Sequence, residues 1–150
     1  MKKKLTIGAL ALALLFAGSS AFAAKPASLP ELKGRVVSVS ARMESVLSRF
    51  EAVMNKAEDK GYDTANAQEA YDASVAKQVI AEAEVDTLKS MLDAEIADGA
   101  VAPTAEIKAQ IKDTIDALIA YRDSVKELRD RLKEVIDAHT PDPVPGEAAV

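Results

Sequence analysis

Arg35, Arg42 and Arg49 stand seven residues apart, and Lys56 continues the row. A cation every seven residues can serve two chemistries. It can face a polyanion, or it can flank the apolar seam of a packed helix and lay its stem over it. Asp116, Asp123, Asp130 and Asp137 repeat with the same period and read as a solvated face. The one histidine, His139, stands where a third long helix should end, so it reads as a partner for the C-terminal end of the helix dipole. The motifs of a reaction centre do not follow. There is no Glu-x-x-His pair for a di-iron site, no glycine-rich phosphate loop and no Gly-x-Ser-x-Gly elbow. DAEIADG (93–99) has the outline of a calcium loop, but Ala97 stands where a ligand belongs. Haem bundles resembling cytochrome b562 use a methionine and a histidine. Here Met43, Met54 and Met91 read as apolar filler, and the absence of cysteine excludes covalent haem. The chain therefore predicts no catalytic, metal or cofactor residues, and it is read as a non-enzyme.

The positions in the row have meaning only on the element that carries them. Leu29, Leu32, Val36, Val39, Met43, Val46, Phe50, Val53 and Ala57 advance by alternating steps of three and four, which predicts a helix over 29–60. Ser28 and Glu31 have the spacing of a capping box, with Pro30 in the first turn. Gly61 ends that run, and Asp63 or Thr64 can cap a second helix over 64–98. Its apolar stripe reads as Ala67, Tyr71, Val75, Val79, Val85, Leu88, Leu92 and Ile96. Thr104 caps a third helix over 104–139, with Ile107, Ile111, Thr114, Leu118, Tyr121, Val125, Leu128, Leu132 and Val135 in its stripe. Short connections between long helices require antiparallel neighbours. The fold class is thus all-α, an elongated antiparallel, up-down-up three-helix bundle with heptad seams over residues 24–139. Residues 140–150 form a proline-rich tail. Its end, Glu147 to Val150, has the small apolar character that an envelope protease could read.

With Leu29 at position a, the basic row Arg35, Arg42, Arg49 and Lys56 falls at g, beside the seam. Residues 64–98 hold two basic and eight acidic residues, so the middle helix is a suitable partner for basic flanks. The third helix carries Lys108, Arg122 and Arg129 at its own e positions. Parallel first and third helices would therefore bring like charges face to face. The row reads as seam-flanking, with polyanion binding as the second reading.

The chain opens with Lys2, Lys3 and Lys4, then an apolar run to about Ala17, then Ala21-Phe22-Ala23. That is the order of a secretory signal peptide spanning 1–23, with Ala21 and Ala23 as the small residues before a cut at Ala24. The run is shorter than the ~20 residues of a spanning helix, so no membrane span is expected after cleavage. Loss of 23 residues and three lysines moves the net charge from −5 to −8 over the remaining 127 residues. An acidic exported chain argues against nucleic acid as a partner. It is expected in the periplasm or outside the cell.

Across KAEDKGYDTANAQEAYDAS and the alanine-rich run after it, the chain resembles uncharacterised exported bacterial three-helix coiled-coil-like proteins. These have a first amphipathic helix ending in Gly-x-Asp, here Gly61-Tyr62-Asp63, followed by an alanine-spaced helix and a third heptad helix. The class implies the fold and carries no activity. The LTxxQ-type motif of the exported helical stress chaperones does not occur. The expected function is a non-enzymatic structural or protein-interaction module of the bacterial envelope, with a protein partner or self-association. The alternative is a client- or ligand-binding helical protein, chaperone-like or haem-binding.

Overall fold

The structure, a computed structural model, describes residues 28–140. The predicted leader, with Ala21, Ala23 and Ala24, and the tail from 141 onward lie outside the described residues. Three helices and no strand make up the described part: α1 (Leu29–Asp59), α2 (Ala65–Ala97) and α3 (Ala105–His139). They are about 46–53 Å long at 1.5 Å per residue.

The helix ends follow from local chemistry. Ser28 Oγ accepts the Glu31 N–H at 3.3 Å, and Thr104 Oγ1 accepts the Ile107 N–H at 3.3 Å. The second helix divides this work between two residues. Asp63 Oδ1 accepts the Ala65 N–H at 3.0 Å, while Thr64 turns away and donates its hydroxyl to Glu58 Oε1 at 2.6 Å. That bond ties the start of α2 to the end of α1. Gly61 and Gly99 both take positive φ, 77° and 79°. Around Gly61, the Tyr62 N–H donates to Ala57 O and the Gly61 N–H to Glu58 O. Around Gly99, the Ala100 N–H donates to Glu95 O and the Gly99 N–H to Ile96 O. Each pair is a Schellman motif, which satisfies carbonyls that the helix end would leave orphaned.

Two contacts fix the directions. Lys33, near the start of α1, pairs with Asp93, near the end of α2, at 2.5 Å. The Tyr62 ring, in the α1–α2 turn, stacks on the His139 ring at the end of α3, with centroids 4.0 Å apart. So α2 runs opposite to α1 and α3. One continuous apolar core joins all three helices.

The burial pattern corrects two details of the expected stripes. On α1, Leu47 and Met54, which widen the apolar stripe beyond a strict a/d seam, are buried as expected, while Val53 is only half-buried and Val37, expected to widen the same stripe, is exposed. A straight helix drifts by ~20° per heptad against a strict seven-residue repeat, which turns Val53 outward and brings Met54 in. On α2 the change is larger. The buried line is Ala67, Ala70, Ser74, Ala81, Val85, Leu88 and Leu92. Tyr71 is half-buried, while Val75 and Val79, expected inside, are exposed. The small residues lie inward, and α2 packs more closely on α3 than on α1, while α1 and α3 meet sparsely.

Candidate functional site

The arrangement offers four places where side-chain chemistry gathers. The first is the middle of the core. Tyr121 of α3 is 0% exposed, and its hydroxyl has no hydrogen-bond partner among the described residues. Burial pushes its phenol well above the ordinary value, with Glu82 and Tyr71 adding to the rise. Tyr71 itself is raised, by burial first, then by Glu51 and Asp72. A protonated, buried phenol with no acceptor and no route to solvent can pack. It has no proton acceptor with which to do acid–base work.

The second place is an open cleft of about 330 Å³ between α2 and α3, lined by Asn66, Glu69, Ala70, Ala73, Glu127 and Arg131. Its Arg131 is held by Glu127 at 3.7 Å and Glu134 at 3.8 Å. Among the described residues, no three His, Asp or Glu side chains converge as a metal set.

The third place is the lower end of the molecule, around His139. Its Nδ1 lies 2.8 Å from Val135 O, so that nitrogen donates to a last-turn carbonyl. The ring is thereby engaged twice, by the carbonyl and by Tyr62. Met43 is buried near the middle of α1, and Met54 is buried between one and two turns before its end at Asp59.

The fourth place is the basic row. Lys33 pairs with Asp93, Glu58 accepts from Thr64, and Glu51 acts on Tyr71. These contacts put the e and b flank of α1 against α2. The opposite flank, with Arg35, Arg42, Arg49 and Lys56, therefore lies on the side of α3. Gln110 Nε2 and Thr114 Oγ1 of α3 both donate to Glu84 O of α2, at 3.3 Å each. That puts the g flank of α3 on α2 and turns Lys108, Arg122 and Arg129 toward α1. The two basic rows thus share one groove. Arg35 and Arg42 are half-buried, and Arg49 and Lys56 are exposed. Arg35 pairs with Glu31 at 2.5 Å. Arg42, Arg49 and Lys56 make no ion pair among the described residues. On α3, Arg122 and Arg129 bind the neighbouring Asp123 and Asp130, at 2.9 and 2.6 Å. The aspartate row seen in the sequence thus neutralises cations of its own helix.

This has a direct consequence for stability. Exchanging Arg35, Arg42 and Arg49 together for glutamine removes the i,i+4 pair of Arg35 with Glu31, worth at most ~1 kcal/mol. Thermal melts should show little change. A loss several times larger would mean that the row holds the seam together through contacts other than the Glu31 pair.

The sequence missed the exposed cluster on α2, because large apolar residues were assigned inward. Its signal was present: alanine or serine at 67, 70, 74 and 81 keeps the three-and-four spacing without a large side chain. No family model matches the chain, nor does any curated protein or solved structure, so its functional reading rests on its sequence and on the surfaces described above, the exposed α2 cluster included.

Proposed function

We propose that this protein is a non-enzymatic, exported structural or protein-interaction module of the bacterial envelope. In this reading the leader is removed before Ala24, and the mature chain is an elongated up-down-up three-helix bundle with heptad seams in the periplasm or outside the cell. The support for export is the order of basic, apolar and small residues in positions 1–23. Among the described residues, no helix is long and apolar enough to cross a membrane.

One observation carries the interaction reading. Five large hydrophobics are exposed in the described part, and three of them, Val75 (37%), Val79 (61%) and Ile80 (51%), lie within six residues on α2. The stripes of α1 and α3 are covered by their own chain. A cluster left open on an otherwise packed bundle marks a docking surface. The client-binding alternative rests on this same cluster, since the other stripes offer it little free apolar area.

A photo-crosslinking residue at Val79 in intact cells tests the proposal, with the exposed Asp130 position as control. Val79 should give discrete crosslinked products that Asp130 does not. Equal or absent products at both sites would sink the interaction reading. A diffuse ladder of many proteins that strengthens under unfolding stress would favour client binding.

A further inference from the structure

Two unlike surfaces lie on opposite sides of this bundle. The outward face of α2 carries Ala76, Val79, Ile80 and Ala83, all exposed, with Asp72 toward one end and Asp86, which pairs with Lys89 at 3.5 Å, toward the other. Lys77 falls outside this face, on the flank toward α3, beside Ala73, which lines the cleft with that helix. The other side is the groove between α1 and α3, the least closely packed pair. Arg42, Arg49 and Lys56 line it from α1, and Lys108 from α3, none of them in an ion pair among the described residues. Half-buried Ile115, Ile119 and Val53 lie along the same flanks. The lengths agree as well. Asp72 to Asp86 and Arg42 to Lys56 each cover ~21 Å of helix, at 1.5 Å per residue.

We infer that the partner of the α2 face is the α1–α3 groove of a second copy of this chain. The acidic, apolar-centred helix lies lengthwise in the basic groove, and Val79 and Ile80 meet the isoleucines between the cations. This assignment rests on the interaction-module reading and gives its surface an occupant. Because the two faces differ and point in opposite directions, the contact is heterologous. Each copy then has one donor face and one acceptor face, so the contact repeats from copy to copy unless its rotation closes a ring. A face-to-face pairing of two α2 helices is disfavoured, because antiparallel pairing about Val79 and Ile80 brings Asp72 of one copy beside Asp86 of the other. The proposed contact also accounts for two rows at once: the groove cations Arg42, Arg49 and Lys56, which make no ion pair among the described residues, and the acidic helix that leaves its apolar face open.

The test uses sedimentation of the purified full chain, as the cell makes it, over a concentration series. At low salt the average mass should rise beyond the dimer. At 1 M salt, where the Debye length is ~3 Å, it should fall toward the monomer. Two variants divide the contact. V79E/I80E spoils the α2 face, and R42E/R49E spoils the groove. Each should associate at least about tenfold more weakly than the parent, because like charges then oppose docking. Mixed in equal amounts, they should form a dimer and nothing larger, since one intact face of each kind remains. Helical circular dichroism checks the fold, and V79S/I80S replaces the glutamate pair if that pair unfolds α2. A parent that stays monomeric at millimolar concentration, a variant that assembles like the parent, or a mixture that stays monomeric each overturns the inference. The crosslinking at Val79 can still yield a different protein in that event, so the two failures are separable.

Discussion

Truncating Tyr121 to alanine is expected to cost about 3–5 kcal/mol, while Tyr121→Phe leaves the protein equally stable or up to ~1 kcal/mol more so at neutral pH. The ring is fully enclosed, so its removal leaves a cavity that three long helices cannot easily collapse around. The hydroxyl is a different matter. It is buried without a partner, and such a group forfeits its hydration for nothing in return. Phenylalanine keeps the volume and discards the liability. The two substitutions therefore move in opposite directions at one position, and urea denaturation separates them directly.

The same tyrosine gives the fold a sensitivity to alkali. Its folded phenol is raised well above 10, by burial first, whereas in the unfolded chain it titrates near 10. Below pH 10 both states hold the proton and there is no pH-dependent term. Above it the unfolded state loses the proton first, so the native state holds more protons and stability falls as pH rises. The decline is at most ~1.4 kcal/mol per pH unit for this group, and continues until its folded value is passed. Tyr71 contributes in the same direction. Tyr121→Phe should flatten most of the fall between pH 10 and 12 in denaturation experiments. A wild-type-like decline in that variant would assign alkaline sensitivity to other groups.

The legibility of this chain differed from helix to helix, for a physical reason. On α1 and α3 the core positions are filled mostly by Leu, Ile, Val and Met, with Phe50 and Tyr121, so hydrophobic periodicity and burial largely coincide although Ile111 and Val135 are only half-buried, and the caps at Ser28 and Thr104 and the glycine stops at 61 and 99 set the ends within a residue or so. Where α1 departs, at Val53 against Met54, the cause is the mismatch between 3.5 and 3.6 residues per turn. On α2 the larger residues misled. Tyr71, Val75 and Val79 also have helical spacing, and a reading by side-chain size follows them. The buried line instead takes an eleven-residue step from Ala67 to the half-buried Gln78, through Ala70 and Ser74, before Ala81, Val85 and Leu88. Such a stutter rotates the seam relative to a strict heptad. The basic row reads as seam-flanking in the sequence, but the sequence does not say which neighbour it faces. That depended on the register of α2, now fixed by Lys33–Asp93 and by Gln110 and Thr114 on Glu84.

The orientation of α2 leads to the second large effect. Ala81→Leu should destabilise by about 1–3 kcal/mol, because Ala81 is fully buried in the most closely packed pair of helices and three added carbons have no space there. Val79→Leu, two residues away on the outside, should change stability by less than ~0.5 kcal/mol. On a heptad read from the large residues the order reverses: Val79 would be the core position, and Ala81 would be a solvent site where leucine is harmless or even favourable for a helix. Melting both variants at low concentration, to keep any self-association out of the comparison, decides between the two faces. Ser74 supplies a control from the same line. Its hydroxyl donates to Ala70 O within the helix at 2.9 Å, so Ser74→Ala removes a bond without leaving an unpaired donor. It should melt close to the parent, which ties the Ala81→Leu loss to volume in the α2–α3 contact and not to any change along the buried line. With Ala81 inside, Val79 and Ile80 must point outward, and the surface they form follows from that rotation of α2.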